Sequence, residues 1–192
     1  MNVKLTDRDK NIIQFLKQYK CADTHTLAKL FFQNTKSSQI LCERRLKRLV
    51  DAGHLRRWRA DILHPYIFYC NKRPTNIVHS TMISSVYAEL MTKYQVVKIE
   101  KEYEVRYKAS KLRTDVMAIL RIDGKLKPLF IELDLSGAMK NKYDIYINEN
   151  YYQQKFGVKP TIISISKFKP KSSIPVKHIP LDEFKENGIT IE

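Results

Sequence analysis

The sequence predicts a mixed α/β chain in two parts: three short helices closed by a β-ribbon, then strands alternating with helices. Three observations predict it. Apolar residues recur at helical spacing up to about residue 52 and then give way to two short aromatic and β-branched runs. Pro74-Thr75-Asn76 punctuates the chain after Asn71-Lys72-Arg73. Beyond it, strand-like and helix-like stretches alternate. The chain has 192 residues, enough for one large domain or two small ones. Its hydrophobic fraction of 43% is sufficient for a buried core, and 5 Gly and 7 Pro exclude collagen and low-complexity disorder. We therefore expect domains at 1–73 and 77–192, joined by 74–76.

In the first part, Thr6 is placed to cap a helix, with Asp9 suited to the positive end of its dipole. Ile12, Ile13, Phe15, Leu16 and Tyr19 then fall mostly on one face. Thr24 is placed to cap a second helix, with Leu27, Leu30 and Phe31 inward. Ser37 or Ser38 opens a third, running to about Ala52, and Gly53 stops it. Leu55 to Trp58 and Tyr66 to Cys70 read as strands, joined by a loop containing His64-Pro65. Three helices followed by a two-stranded ribbon is the winged helix-turn-helix pattern.

After the boundary, Val78 to Tyr94 is helical by its three- and four-residue spacings. Val96 to Glu100 and Leu112 to Ile122 are strand-like, and Asp123-Gly124 is a tight turn into Leu129 to Leu133. Gly137 ends that strand. A helix is expected from about Met139 to Gln154, with Tyr143, Tyr146, Tyr151 and Tyr152 on it. Thr161 to Ile165 is another strand, 170–175 a loop, and the tail has room for one short strand and a helical turn.

Charge narrows the partners. Lys plus Arg number 35 against 20 Asp plus Glu, a net of +15. Residues 1–75 carry 16 basic and 6 acidic residues, a net of +10, so two thirds of the excess lies there. A concentrated positive charge expects a polyanion, here double-stranded DNA. At 100° per residue, Cys42, Leu46, Leu49 and Val50 fall on one face of the third helix. Ser37, Ile40, Arg44, Lys47 and Arg48 lie roughly opposite, as a recognition helix requires. Arg44 and Arg48 are the expected base readers, because a guanidinium grips guanine O6 and N7 with two hydrogen bonds. Lys47 is expected on phosphate. Arg56, Arg57 and Arg59 surround Trp58 on the ribbon and would lie on phosphates or in the minor groove, with Trp58 packing on the core.

No apolar run approaches the roughly 18 residues of a membrane span, and the first residues lack the apolar stretch of a signal peptide. Cys21, Cys42 and Cys70 are odd in number and form no CxxC pair, which argues against a disulfide framework or zinc site and for a reducing cytoplasm.

The second part holds one chemically suggestive arrangement. Asp115 interrupts the apolar run 113–120, and Glu132 and Asp134 interrupt 130–135, where an unpaired carboxylate is costly. Residues two apart on a strand point to one side, and the Asp-Gly hairpin brings Asp115 beside the other two. Three carboxylates at one strand end could hold Mg²⁺. They could equally be strand-end ion pairs, Asp115 with Arg113 for instance. His79 reads as a core or capping residue. A tyrosine nucleophile is disfavoured because the five His are scattered, and the tyrosines read as packing or interface residues.

The order of helix, strand with Asp, hairpin and strand with Glu-x-acid resembles the PD-(D/E)xK nuclease core, a restriction-endonuclease-like α/β fold. The resemblance makes Glu89 the accessory acid of the preceding helix. Asp134 stands where that motif has Lys, and Lys140 or Lys142 is placed to supply the missing charge. The combination is similar to the replication-relaxation family of bacterial plasmids, conjugative elements and phages. It carries Leu46-x-x-Leu49-x-x-x-Gly53-x-Leu55, then His79 opening a helix, then Arg113-x-Asp115, then Glu132-x-Asp134. The resemblance covers nearly the whole chain. It implies a link to plasmid replication and DNA relaxation, from which we expect a sequence-specific DNA-binding accessory factor in replication or conjugative DNA processing, with a relaxase or replication protein as partner. A homodimer is expected because many winged-helix DNA binders read two half-sites. Two further functions stay open: a Mg-dependent endonuclease or nickase using Asp115, Glu132, Asp134 and Glu89, and a winged-helix transcription regulator.

Overall fold

The computed structural model describes residues 3–33, 37–137 and 142–191. The chain is a mixed α+β protein that forms two compact units, Met1–Ala88 and Glu89–Glu192.

The first unit begins with α1 (Asp7–Tyr19), β1 (Ala22–Asp23), α2 (Thr24–Phe31) and α3 (Ser38–Asp51). β2 (Arg56–Trp58) and β3 (Ile67–Tyr69) follow as an antiparallel ribbon. β1 adds to the free edge of β3, giving a three-stranded sheet in the order β1-β3-β2. α1 starts on a reciprocal capping box: the Asp9 amide donates to Thr6 Oγ1, and the Thr6 amide donates to Asp9 Oδ2 at 2.7 Å. The second cap is one residue earlier than expected. Asp23 accepts from the Thr26 amide at 2.7 Å, and Thr24 is the first helical residue. α3 ends where Gly53 takes φ +77, a conformation that costs glycine little. Ile12, Phe15, Leu16, Leu27, Cys42, Leu46, Leu49, Leu55 and Phe68 form the core. All three cysteines are free thiols.

α4 (Ile77–Lys93) opens close to where the periodicity put it, but the division between units falls within the helix rather than at 74–76. The reason is packing. The Ser84 hydroxyl donates to the Cys21 carbonyl at 2.5 Å, and the Tyr87 ring lies 5.4 Å from Phe15 and 4.5 Å from Tyr19. Most of α4 is thereby part of the first unit's core.

The second unit is a five-stranded sheet in the order β4-β5-β6-β7-β8. β4 (Gln95–Tyr107), β5 (Ser110–Ile122) and β6 (Lys125–Asp134) form an antiparallel meander; β7 (Thr161–Ser166) and β8 (Val176–Pro180) run parallel to β6. Asp123 (φ +51) and Gly124 (φ +74) make the left-handed pair that a tight hairpin needs. β4 is much longer than expected. Its second half alternates, with Tyr103 and Val105 buried and charged residues between them. The expected helix from 139 is instead two short ones, α5 (Asp144–Asn148) and α6 (Gln153–Phe156); its start at Met139 lies outside the described residues. Asn150 at φ +57 interrupts the helical path. Tyr143 and Tyr146 are buried against Tyr103, Val105, Met117 and Phe130, so these tyrosines are core residues. α7 (Leu181–Asn187) follows β8. No helix among the described residues is long and apolar enough to cross a membrane.

Candidate nucleic-acid interface and carboxylate site

α3 separates its faces as its periodicity demands. Cys42, Leu46 and Leu49 are buried, and Ser37, Arg44, Lys47 and Arg48 are exposed, as is Ile40 at 52%. What orients the helix is a contact that periodicity does not reveal. Arg45, beside Arg44, turns inward and donates Nε–H to Asp9 Oδ1 at 2.8 Å and Nη2–H to Asp9 Oδ2. Asp9 is fully buried. Burial alone would raise its carboxyl pKa, but hydrogen bonds from Arg45 and Thr6 outweigh that and lower it to about 2. The pair ties the first turn of α1 to the middle of α3.

The ribbon meets α3 across a cleft of about 490 Å³ whose lining includes Arg44, Lys47, Arg57, His25 and Tyr66. Arg57 and Arg59 both stack on Tyr66, their guanidinium carbons 4.3 and 4.6 Å from the ring centre. Arg57 on β2 and Arg59 just past its end thus share one aromatic platform. Arg56 is exposed, and Trp58 is half-buried with Arg73 over its ring at 5.1 Å. Of the expected DNA-facing residues, Arg44 and Lys47 of α3 and Arg57 of the ribbon thus flank one open cleft, whereas Arg48 lines a separate one with Arg8 and Phe32. The aromatic platform under the ribbon arginines was missed in the sequence, although Tyr66 opens the second strand-like run.

In the second unit, β5 pairs with β6 up to Val116 opposite Ile131, and the next step of that register sets Asp115 opposite Glu132. Asp115 Oδ2 accepts the Leu133 amide at 2.8 Å. The Glu132 carboxylate is buried. It accepts the Tyr143 hydroxyl through Oε1, and Lys142 Nζ lies 2.7 Å from Oε2. Lys142 also donates to the Arg113 carbonyl at 2.5 Å. Burial pushes the Glu132 pKa up; Lys142 and Tyr143 oppose the rise, and Asp115 adds to it. The Tyr143 hydroxyl, buried beside that carboxylate, is held well above its ordinary pKa. Thr114 is buried too and donates to the Ile131 carbonyl at 3.1 Å, pinning the two strands at the acids.

Three expectations change here. Arg113 pairs with Glu102 on β4, at 2.5 Å, and not with Asp115. Asp134, the last residue of β6, turns its side chain onto the turn that follows, its Oδ1 accepting the Gly137 amide at 2.8 Å and the Ser136 amide at 3.2 Å. Glu89 is drawn to the C-terminal segment: it pairs with Lys93 at 2.9 Å and lies so close to Gly188 that a Cβ there would sit 2.0 Å from Oε2. Of the four expected acids, Asp115 and Glu132 are brought together. Lys142 supplies the cation that Asp134 does not; Lys140 lies outside the described residues. The two carboxylates match the oxygen preference of Mg²⁺, but Glu132 is already neutralised by Lys142. No group of three His, Cys, Asp or Glu side chains fit to hold a metal occurs among the described residues.

No family model matches the chain, and no curated protein matches it. Among solved structures it is similar to protein VC1899 from Vibrio cholerae, at 12% identity and a TM-score of 0.39, over 97% of this chain and 56% of that one. It is also similar to Can2 from Sulfobacillus thermosulfidooxidans in complex with cyclic tetra-adenylate, at 16% identity and a TM-score of 0.36, over 88% of this chain and 56% of that one. The chain therefore spans about half the length of the solved structures it matches.

Proposed function

We propose that the chain is a sequence-specific double-stranded DNA-binding accessory protein of a plasmid or other mobile element, acting in replication or conjugative DNA processing in the cytoplasm. In this reading the first unit is a winged helix and the second a restriction-endonuclease-like domain of the replication-relaxation kind. The observation that carries the proposal is the cleft between α3 and the ribbon. Arg44 and Lys47 line it from the helix and Arg57 from the strand, in the part of the chain that holds a net of +10. α3 is sized for a major groove, and the ribbon arginines for the adjoining phosphates. Two copies would read two half-sites and present a relaxase or replication protein with a fixed geometry. A transcription regulator would use the same surface on an operator beside a promoter.

The test is a titration of short duplexes with the full chain at several salt concentrations. Affinity should fall steeply and linearly with the logarithm of salt, because each neutralised phosphate releases counterions. Absence of duplex binding at low salt would refute the proposal.

A second reading, a metal-dependent endonuclease or nickase, draws support from Asp115 opposite Glu132 with Lys142 at the carboxylate. In it Asp115 and Glu132 hold Mg²⁺, and Lys142 offsets charge at a phosphate. We favour the accessory role because Lys142 and Tyr143 already satisfy Glu132. Supercoiled plasmid incubated with Mg²⁺ or Mn²⁺ should stay intact. Nicking that vanishes in Asp115→Ala would establish the enzyme instead.

A further inference from the structure

We propose that the tip of the β2–β3 ribbon is an apolar wedge that enters the minor groove of duplex DNA and kinks it. The inference rests on the DNA-binding reading and states what the ribbon does once bound.

The loop between β2 and β3 runs from Arg59 to Tyr66. Within it, residues 61–64 form a turn: the His64 amide reaches the Asp61 carbonyl at 3.4 Å, and the Leu63 amide donates to Asp61 Oδ1 at 2.8 Å. Asp61 Oδ2 is bonded to His64 Nδ1, also at 2.8 Å. The Asp61 side chain is thus bonded to the loop's own atoms while staying exposed. Ile62 and Leu63 occupy the two central positions. They are 78% and 91% exposed, the two most exposed large hydrophobic residues among those described. Turn corners ordinarily carry Gly, Pro, Asn, Asp or Ser, each for a backbone reason. Two bulky aliphatics in a turn held by side-chain bonds add nothing to the core. They project a paired apolar surface.

The surroundings of the tip select its occupant. Arg57 and Arg59, on the strand and loop leading to it, are stacked on Tyr66 and so held in place. An apolar protein groove would have to bury or pair those cations. A DNA minor groove meets both demands: its phosphates take the arginines, and apolar side chains pushed between base steps kink the duplex, typically by roughly 20–90°. Pyrimidine–purine steps open most easily, so the wedge also supplies sequence preference without base hydrogen bonds.

The experiment uses the full chain and a ~30-bp duplex of mixed sequence with central TA and CA steps, carrying a donor and acceptor dye at its ends. A second duplex has 2-aminopurine at the central step. Binding should raise energy transfer between the ends and brighten the 2-aminopurine as it unstacks. The variant Ile62→Ser/Leu63→Ser changes only exposed positions. It should bind at low salt with the wild-type salt dependence yet lose both signals, and Leu63→Phe should retain them. Wild-type binding without bending or unstacking overturns the wedge and leaves the DNA-binding reading standing. So does equal bending by the double variant. Loss of all low-salt binding in that variant also overturns it, because the cations then do not hold the complex. Failure of the wild-type chain to bind any duplex removes both proposals together.

Discussion

Asp9→Asn should cost the first unit about 2 kcal/mol near neutral pH, and the cost should disappear in acid. The wild-type carboxyl is lowered from 3.8 to about 2. At roughly 1.4 kcal/mol per pH unit this corresponds to about 2 kcal/mol. The sign follows from the direction. The unfolded chain holds the proton more tightly than the folded one, so the contribution is complete above about pH 4. It is lost as the pH falls through the folded value near 2. Asn keeps the shape but cannot carry the charge that Arg45 meets with two N–H bonds. Trp58, the single tryptophan, lies in the first unit, so urea unfolding followed by its fluorescence reports that unit. Melts of wild type and variant at several pH values should show a gap near neutrality that closes between about pH 4 and 2. A gap independent of pH would refute the assignment of the stabilisation to the Asp9 charge.

Three further outcomes are expected. Lys47→Ala and Arg57→Ala should weaken all duplexes alike and lower the salt slope, whereas Arg44→Ala and Arg48→Ala should in addition erase about 1–3 kcal/mol of discrimination between sequences, read by competition titration. Tyr143→Phe removes the hydroxyl that donates to buried Glu132 and should cost the second unit about 1–3 kcal/mol in urea unfolding followed by far-UV circular dichroism. Gly188→Ala should lower the midpoint of the same transition, because a residue at φ +72 and ψ −150 pays about 1–3 kcal/mol of backbone strain and its Cβ would meet Glu89; an unchanged midpoint would refute that packing.

Much of the candidate interface is legible in the sequence, because an amphipathic helix writes its faces into its own spacing. The 3.6-residue period separates Cys42, Leu46 and Leu49 from Arg44, Lys47 and Arg48 without any tertiary information. Gly53 and the Asp123-Gly124 pair mark their turns for an equally local reason, since only certain residues accept positive φ cheaply. Strand alternation was legible too, but Lys101 to Tyr107 hid it behind a run of charges, and the strand's full length went unread.

The sequence by itself determined the helices of the first unit to within a residue or two, which face of α3 is basic, and that Asp115 and Glu132 lie on neighbouring hairpin strands. Only the tertiary structure decided the destinations of the side chains. Arg45 and Arg44 are chemically alike and adjacent, yet one is spent on Asp9, 36 residues away in sequence, and the other faces the cleft. Asp134 turns to its own backbone, Glu89 to Lys93, and Lys142 crosses to Glu132. Local spacing fixes direction along an element. The partner of a long or charged side chain depends on what the rest of the chain brings within hydrogen-bonding distance, and no sequence period encodes that.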